Sequence, residues 1–289
     1  MVERYVEWFG HRTWIGIAGE ASDRPPLLVV HGGPGAGSDY LESLAGLHGR
    51  QVIFYDQLGC GRSDHSEDTS LWVMDTFVSE LSAVRSALGL ERVHLLGQSW
   101  GGMLALEHVL SGAPGITSLT LASTMASTDD WVAAVHQQRA DLPASVRDVL
   151  DAHERSNTTD SVEYGEAVLV FYREHVCRLW PFPESVQRSF AHIEADPTIY
   201  STMWGPNEFV MTGNLAGWDV RHRLAEITLP TLITSGVYDE SAPSVNRPMA
   251  DGITNSEWVL FDSSAHMAHI EQEDEYLSVL ERFLAGADA

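Results

Sequence analysis

Only two of the 289 residues are cysteines, Cys60 and Cys177, and they stand far apart. A pair so spaced builds neither a disulfide framework nor a zinc-ligand pattern. Cations are scarce as well: 17 Lys and Arg against 41 Asp and Glu leave a formal net charge of −24. A phosphate backbone is bound through Lys and Arg, so nucleic acid is excluded as the expected partner, and anionic membranes are disfavoured for the same reason. No apolar run approaches the roughly 18 residues of a membrane-spanning helix. The opening segment MVERYVEWFG carries charges early and has no apolar h-region, so it does not read as a secretory signal. With so few cysteines, a reducing, cytoplasmic setting is expected.

What is present is ordinary for a globular chain: 44% hydrophobic and 20% charged residues. The length allows one large domain or one domain with an insertion. Short apolar runs rich in Val, Ile and Leu recur: PPLLVV before His31, QVIFYD to Asp56, RVHLLG to Gly97 and SLTLAS to Ser123. Each stops at a Gly or polar cluster, as buried parallel strands do. Helical stretches, such as Thr76–Leu88, separate them. Strands alternating with helices predict an α/β fold with a doubly wound, mostly parallel sheet. The early RTWIGIAG is expected to add antiparallel edge strands. From about Thr124 to Asn214 the chain turns helix-like, then strand patterns return in TLPTLITSG and SEWVLFD before a helical C-terminus. The expected division is a core in two parts, 1–123 and 215–289, with a helical cap over 124–214.

The chemistry centres on Gly97-Gln98-Ser99-Trp100-Gly101, placed between an expected strand and an expected helix. It fits G-x-S-x-G, in which a tight turn exposes a serine hydroxyl and a side chain at either glycine would collide with neighbouring backbone. The bland alternative is a glycine-rich turn whose serine caps the helix. A nucleophilic hydroxyl needs a base, and the base needs an orienting acid; on this kind of sheet they follow in the order Ser, acid, His. Asp239 follows a late strand and His266 follows the next one, with Glu240 and His269 as rivals for the two roles. Metal-ligand clustering is not seen, and no cofactor is expected. An oxyanion needs two backbone donors. The N–H of Trp100 is one; Gly33 in His31-Gly32-Gly33-Pro34-Gly35 is the other. That loop lacks the Lys-Ser/Thr of a phosphate loop. Arg62 and Asp64 are expected in a structural turn and ion pair, and Cys60 as a buried apolar residue. The Trp100 indole, Phe171, Tyr172, Trp180 and Trp204 are candidates to wall a pocket, with core packing the alternative for the last four.

HGGPG, DQLGCGRSD, GQSWGG and the late Asp and His together resemble the α/β-hydrolase fold, and within it the proline iminopeptidase family of serine peptidases. The segment Trp204-Gly205-Pro206-Asn207-Glu208-Phe209 is similar to the GPNEF-type segment of the branch that resembles tricorn-interacting aminopeptidases. The resemblance implies that Glu208 and Glu240 hold a substrate's free amino terminus. It also implies removal of an unblocked N-terminal residue, often proline, from short peptides or amino-acid amides. Burying a protonated amine under a cap is costly unless carboxylates pair with it, which gives the two acids a physical reason. The rival readings are an esterase, lactonase or amidase on the same scaffold, or a hydrolase-fold receptor that binds a small molecule without turning it over.

Overall fold

The structure, a computed structural model, describes residues 1–288. Two N-terminal strands, β1 (Val2–Trp8) and β2 (His11–Ala18), form an antiparallel hairpin. They are followed by β3 (Leu27–Val30), β4 (Val52–Tyr55), helix α1 (Met74–Ala87), β5 (Val93–Gln98), helix α2 (Trp100–Leu110) and β6 (Ile116–Ala122). Five helices come next: α3 (Thr128–Asp141), α4 (Ala144–Ser156), α5 (Val162–His175), α6 (Glu184–Ala195) and α7 (Thr198–Met203). The chain then rejoins the sheet with β7 (Thr231–Gly236), α8 (Pro243–Gly252) and β8 (Ser256–Phe261), and ends in α9 (Ala268–Glu271) and α10 (Glu273–Ala287). No described helix is long and apolar enough to cross a membrane.

The eight strands lie in the order β1-β2-β4-β3-β5-β6-β7-β8. From β3 to β8 all pairings are parallel, while β2 meets β4 antiparallel. The central strands are buried along their whole length because helices cover both faces. Along β3, Leu28 and Val30 enter the core shared with Phe77 and Leu81 of α1 and Met103 of α2. Leu27 and Val29 face the opposite core, with Leu280 and Leu284 of α10.

This order places the site. The chain winds outward from β3 to β4, then returns to the other side of β3 with β5 and proceeds to β8. Strand order therefore reverses between β3 and β5, and ligands of such sheets bind outside the carboxyl ends of the strands at that switch point. HGGPG leaves the end of β3 and GQSWG the end of β5, so the two glycine-rich turns meet at the crevice.

One buried acid outside the crevice makes stability pH-dependent. Glu80 of α1 accepts hydrogen bonds from Thr13 Oγ1 at 2.6 Å and from the Leu58 N–H at 3.0 Å. Burial outweighs these contacts and pushes its carboxyl up from 4.5 to about 7. The folded state thus holds this proton more tightly than the unfolded chain. Its contribution is complete below pH 4.5 and is lost as pH rises through 7, a change of about 3 kcal/mol. In urea titrations at pH 5 and pH 8, Glu80→Gln is expected to change the difference between the two stabilities by about that amount, in favour of pH 8.

Candidate active site

At the end of β5 the chain turns abruptly into α2, and Ser99 takes φ 56° and ψ −125°, a conformation that L-residues rarely adopt. The turn is held because a Cβ on Gly101 would lie 2.1 Å from the Val30 carbonyl oxygen. Any larger residue there would push α2 off β3. Ser99 precedes the first turn of α2, yet its hydroxyl makes no capping hydrogen bond, and the residue lines a cavity of about 740 Å³. The capping alternative is therefore not what the structure contains.

His266 and Glu240 line the same cavity. His266 Nδ1 lies 2.7 Å from Asp239 Oδ1, so the imidazole donates there and leaves Nε2 as the basic nitrogen. Asp239, fully buried after β7, also accepts from the Ser241 N–H at 2.8 Å. Trp131 meets the His266 ring edge-on at 5.7 Å. Of the two rivals, His269 is buried with Nε2 3.1 Å from the Tyr40 carbonyl, and desolvation pushes its pKa down to about 3. It is a neutral donor to the Tyr40 carbonyl rather than a base facing the cavity. Glu240 does not contact His266 Nδ1; its Oε1 lies 3.6 Å from Nε2.

Gly33 has φ +114°, and a Cβ there would lie 2.5 Å from the Gly35 nitrogen, so the loop requires glycine. Trp100 is the first residue of α2, where helix geometry leaves the backbone N–H without an intrahelical partner. The loop and the elbow are tied together by side chains that sequence reading did not single out. The Tyr40 hydroxyl accepts from the Gly32 N–H at 2.7 Å and donates to Gln98 Oε1. Gln98 Nε2 in turn reaches the His266 carbonyl at 3.3 Å. His31 Nε2 accepts from the Gln57 N–H at 2.9 Å, which fixes Nδ1 as the donor to the Gly32 carbonyl at 2.8 Å.

Glu208 follows α7 and enters the cavity partly buried; its Oε1 accepts from the Tyr200 hydroxyl at 2.5 Å. Glu240 is buried, and its Oε2 has no hydrogen-bond partner among the described residues. Desolvation raises the pKa of both. For Glu240 the charges of Glu208 and Asp239 add to the effect, while for Glu208 the Tyr200 hydroxyl and His266 oppose it. Two acids that repel one another, one with an unused oxygen, are poised for a cation.

One expectation needs correcting. The Trp100 indole does not line the cavity: it is buried, donates Nε1–H to Gln57 Oε1 at 2.8 Å and packs edge-on against Phe77. Phe171 and Trp204 are core residues, against Phe209 and Trp131 respectively, whereas Tyr172 and Trp180 do line the cavity. Arg62 and Asp64 are both ion-paired, but not to each other. Arg62 Nε meets the buried Asp56 at 2.7 Å, and Asp64 meets Arg12 at 3.0 Å. Cys60 and Cys177 are free and buried, and burial raises both thiols, so neither is a ready nucleophile. Among the described residues no three His, Cys, Asp or Glu side chains are grouped to hold a metal ion.

Sheet order, switch point and elbow define an α/β hydrolase, and a model of the α/β-hydrolase fold matches residues 25–273. The proline iminopeptidase of Lactobacillus delbrueckii subsp. bulgaricus is 40% identical over 295 aligned positions, covering 100% of this chain and 99% of its own. The crystal structure of proline iminopeptidase from Mycobacterium smegmatis superposes with a TM-score of 0.93 at 41% identity, and that of VinJ with 0.96 at 36%, each covering 99% of both chains. The chain belongs to the proline iminopeptidase family of α/β hydrolases.

Proposed function

We propose that the protein is a serine aminopeptidase that releases an unblocked N-terminal residue, proline above all, from short peptides or amino-acid amides. The observation that carries this reading is the partly buried Glu208 and the buried Glu240 together in the cavity of Ser99 and His266, with Glu240 Oε2 unpartnered. An α-amino group has a pKa near 8 and arrives mostly protonated at neutral pH. Paired with these carboxylates it recovers the desolvation that burial would otherwise cost, and its distance to the scissile carbonyl is set by the protein.

In this reading Ser99 Oγ attacks the carbonyl carbon of the first residue while His266 Nε2 takes the hydroxyl proton. Asp239 holds the tautomer and stabilises the imidazolium. The N–H groups of Gly33 and Trp100 receive the developing oxyanion. His266 gives the proton to the leaving amine, which departs, and then activates the water that releases the acyl group from Ser99. Residues 124–214 act as the cap that supplies Glu208, and the two unpaired cysteines accord with a cytoplasmic setting.

The test is a panel of prolyl amides, each with a free and an N-acetylated amino group. Free substrates are expected to exceed acetylated ones by at least roughly 100-fold in kcat/KM. Equal rates would remove the amine clamp and leave an unselective amidase or esterase.

A further inference from the structure

The cavity is larger than an N-terminal residue needs. A volume of about 740 Å³ lies within the range of roughly 300–1,000 Å³ that encloses drug-sized ligands, and a single prolyl residue is much smaller. An aromatic wall begins at Tyr172, which the charges of Glu208 and Glu240 reach. Tyr172 of α5 stacks on Phe190 of α6 at 6.0 Å, and Phe182, between the two helices, meets Phe190 edge-on at 5.7 Å. Ile193 extends the same wall. The lining contains three acids, Glu194, Glu208 and Glu240, and neither lysine nor arginine. Glu194 is exposed, on α6.

We infer that the Phe182–Phe190 end of this wall is the site for the leaving group, that it takes a neutral, apolar amine, and that it discriminates against a carboxylate next to the scissile bond. The inference rests on the aminopeptidase reading and adds the other half of the substrate. A dipeptide places its C-terminal carboxylate one residue beyond the bond to be cut. In this cavity that carboxylate would lose water, find no cation and stand among acids, and like charges brought together at low dielectric are costly. Capping the same carboxylate as an amide removes the charge and keeps the shape. An apolar side chain or aryl ring on the leaving amine gains contact area against the aromatic wall.

The experiment compares kcat/KM for Pro-Phe-NH2, Pro-Phe, Pro-Gly-NH2 and N-acetyl-Pro-Phe-NH2 on the wild type and on two variants. In the wild type Pro-Phe-NH2 is expected to exceed Pro-Phe by at least roughly tenfold. Glu194→Lys introduces a cation at an exposed position outside the reacting groups and is expected to narrow that ratio roughly threefold, by improving Pro-Phe. Phe190→Ala, with its fold checked by circular dichroism, is expected to lower kcat/KM for Pro-Phe-NH2 roughly tenfold while changing Pro-Gly-NH2 much less. Equal rates for Pro-Phe and Pro-Phe-NH2 overturn the inference, as does an equal loss on both amides in Phe190→Ala, which would make the wall a site for the first residue. Cleavage of the acetylated peptide at the free rate is a different failure, of the amine clamp itself, and is read independently of the other comparisons.

Discussion

Ser99→Ala is expected to lower kcat by about 10⁶-fold, and His266→Ala by a similar factor, with the double variant no worse than either alone. The reason is that the two side chains act as one device. A serine hydroxyl is a weak nucleophile until a base accepts its proton, and the base is idle without the hydroxyl. The strained φ of 56° at Ser99 and the Nδ1–Asp239 hydrogen bond at 2.7 Å are the geometry such a joint action needs. His269→Gln is the control. His269 is neutral, buried and bonded to the Tyr40 carbonyl, so its loss is expected to leave kcat within roughly tenfold of wild type. Single-turnover measurements on a prolyl arylamide separate these outcomes. A Ser99→Ala enzyme that keeps a tenth of the wild-type rate would remove Ser99 as nucleophile, and a drop on His269→Gln as large as on His266→Ala would reassign the base.

The sheet from β3 onward was legible because a strand covered on both faces must be apolar at every position. LLVV and VIFY carry that signal in four residues. β1 was not legible for the opposite reason. It lies at the sheet edge with only Val6 buried, and VERYVEW shows neither an apolar run nor clean alternation. In the site, Ser99, Asp239 and His266 stood out because each follows a strand and their order along the chain is restricted. Tyr40 and Gln98, by contrast, are 58 residues apart and are joined only by the fold; no local pattern reports such a bond. The same limit hid which acid pairs with Arg62. A buried Asp56 at the end of β4 requires a cation, and the partner follows from burial, which the run GCGRSD does not display. The Trp100 indole was misplaced because the backbone of that residue faces the crevice while its side chain, one step into α2, turns toward α1 and Phe77.

Glu208→Gln is expected to reduce kcat/KM on free-amine substrates by roughly 30- to 3,000-fold, the equivalent of about 2–5 kcal/mol for breaking a buried charge pair. Glutamine preserves the shape and an acceptor for the Tyr200 hydroxyl, so the loss isolates the charge. For an uncharged ester no ammonium is present, and the same variant is expected to stay within a few-fold of wild type. Glu240→Gln is a poorer probe. Its neighbour Asp239 orients His266, and Glu240 Oε1 itself lies 3.6 Å from Nε2, so a shift there touches every substrate. The pH profile carries a second signature. The bound amine must be protonated and the pair must hold negative charge, so kcat/KM falls above pH ~8 as the substrate amine loses its proton. It falls again on the acid side, where the raised carboxyls of Glu208 and Glu240 retain theirs. A neutral ester does not need the charged pair, so titration of the raised carboxyls is expected to steepen the acid limb for free-amine substrates only. Removing one of the two repelling carboxylates lets the other ionise more easily, so Glu208→Gln should move the free-amine limb toward the ester limb. Identical acid limbs for the two substrate types in the wild type would show that the carboxylate pair does not bind the amine.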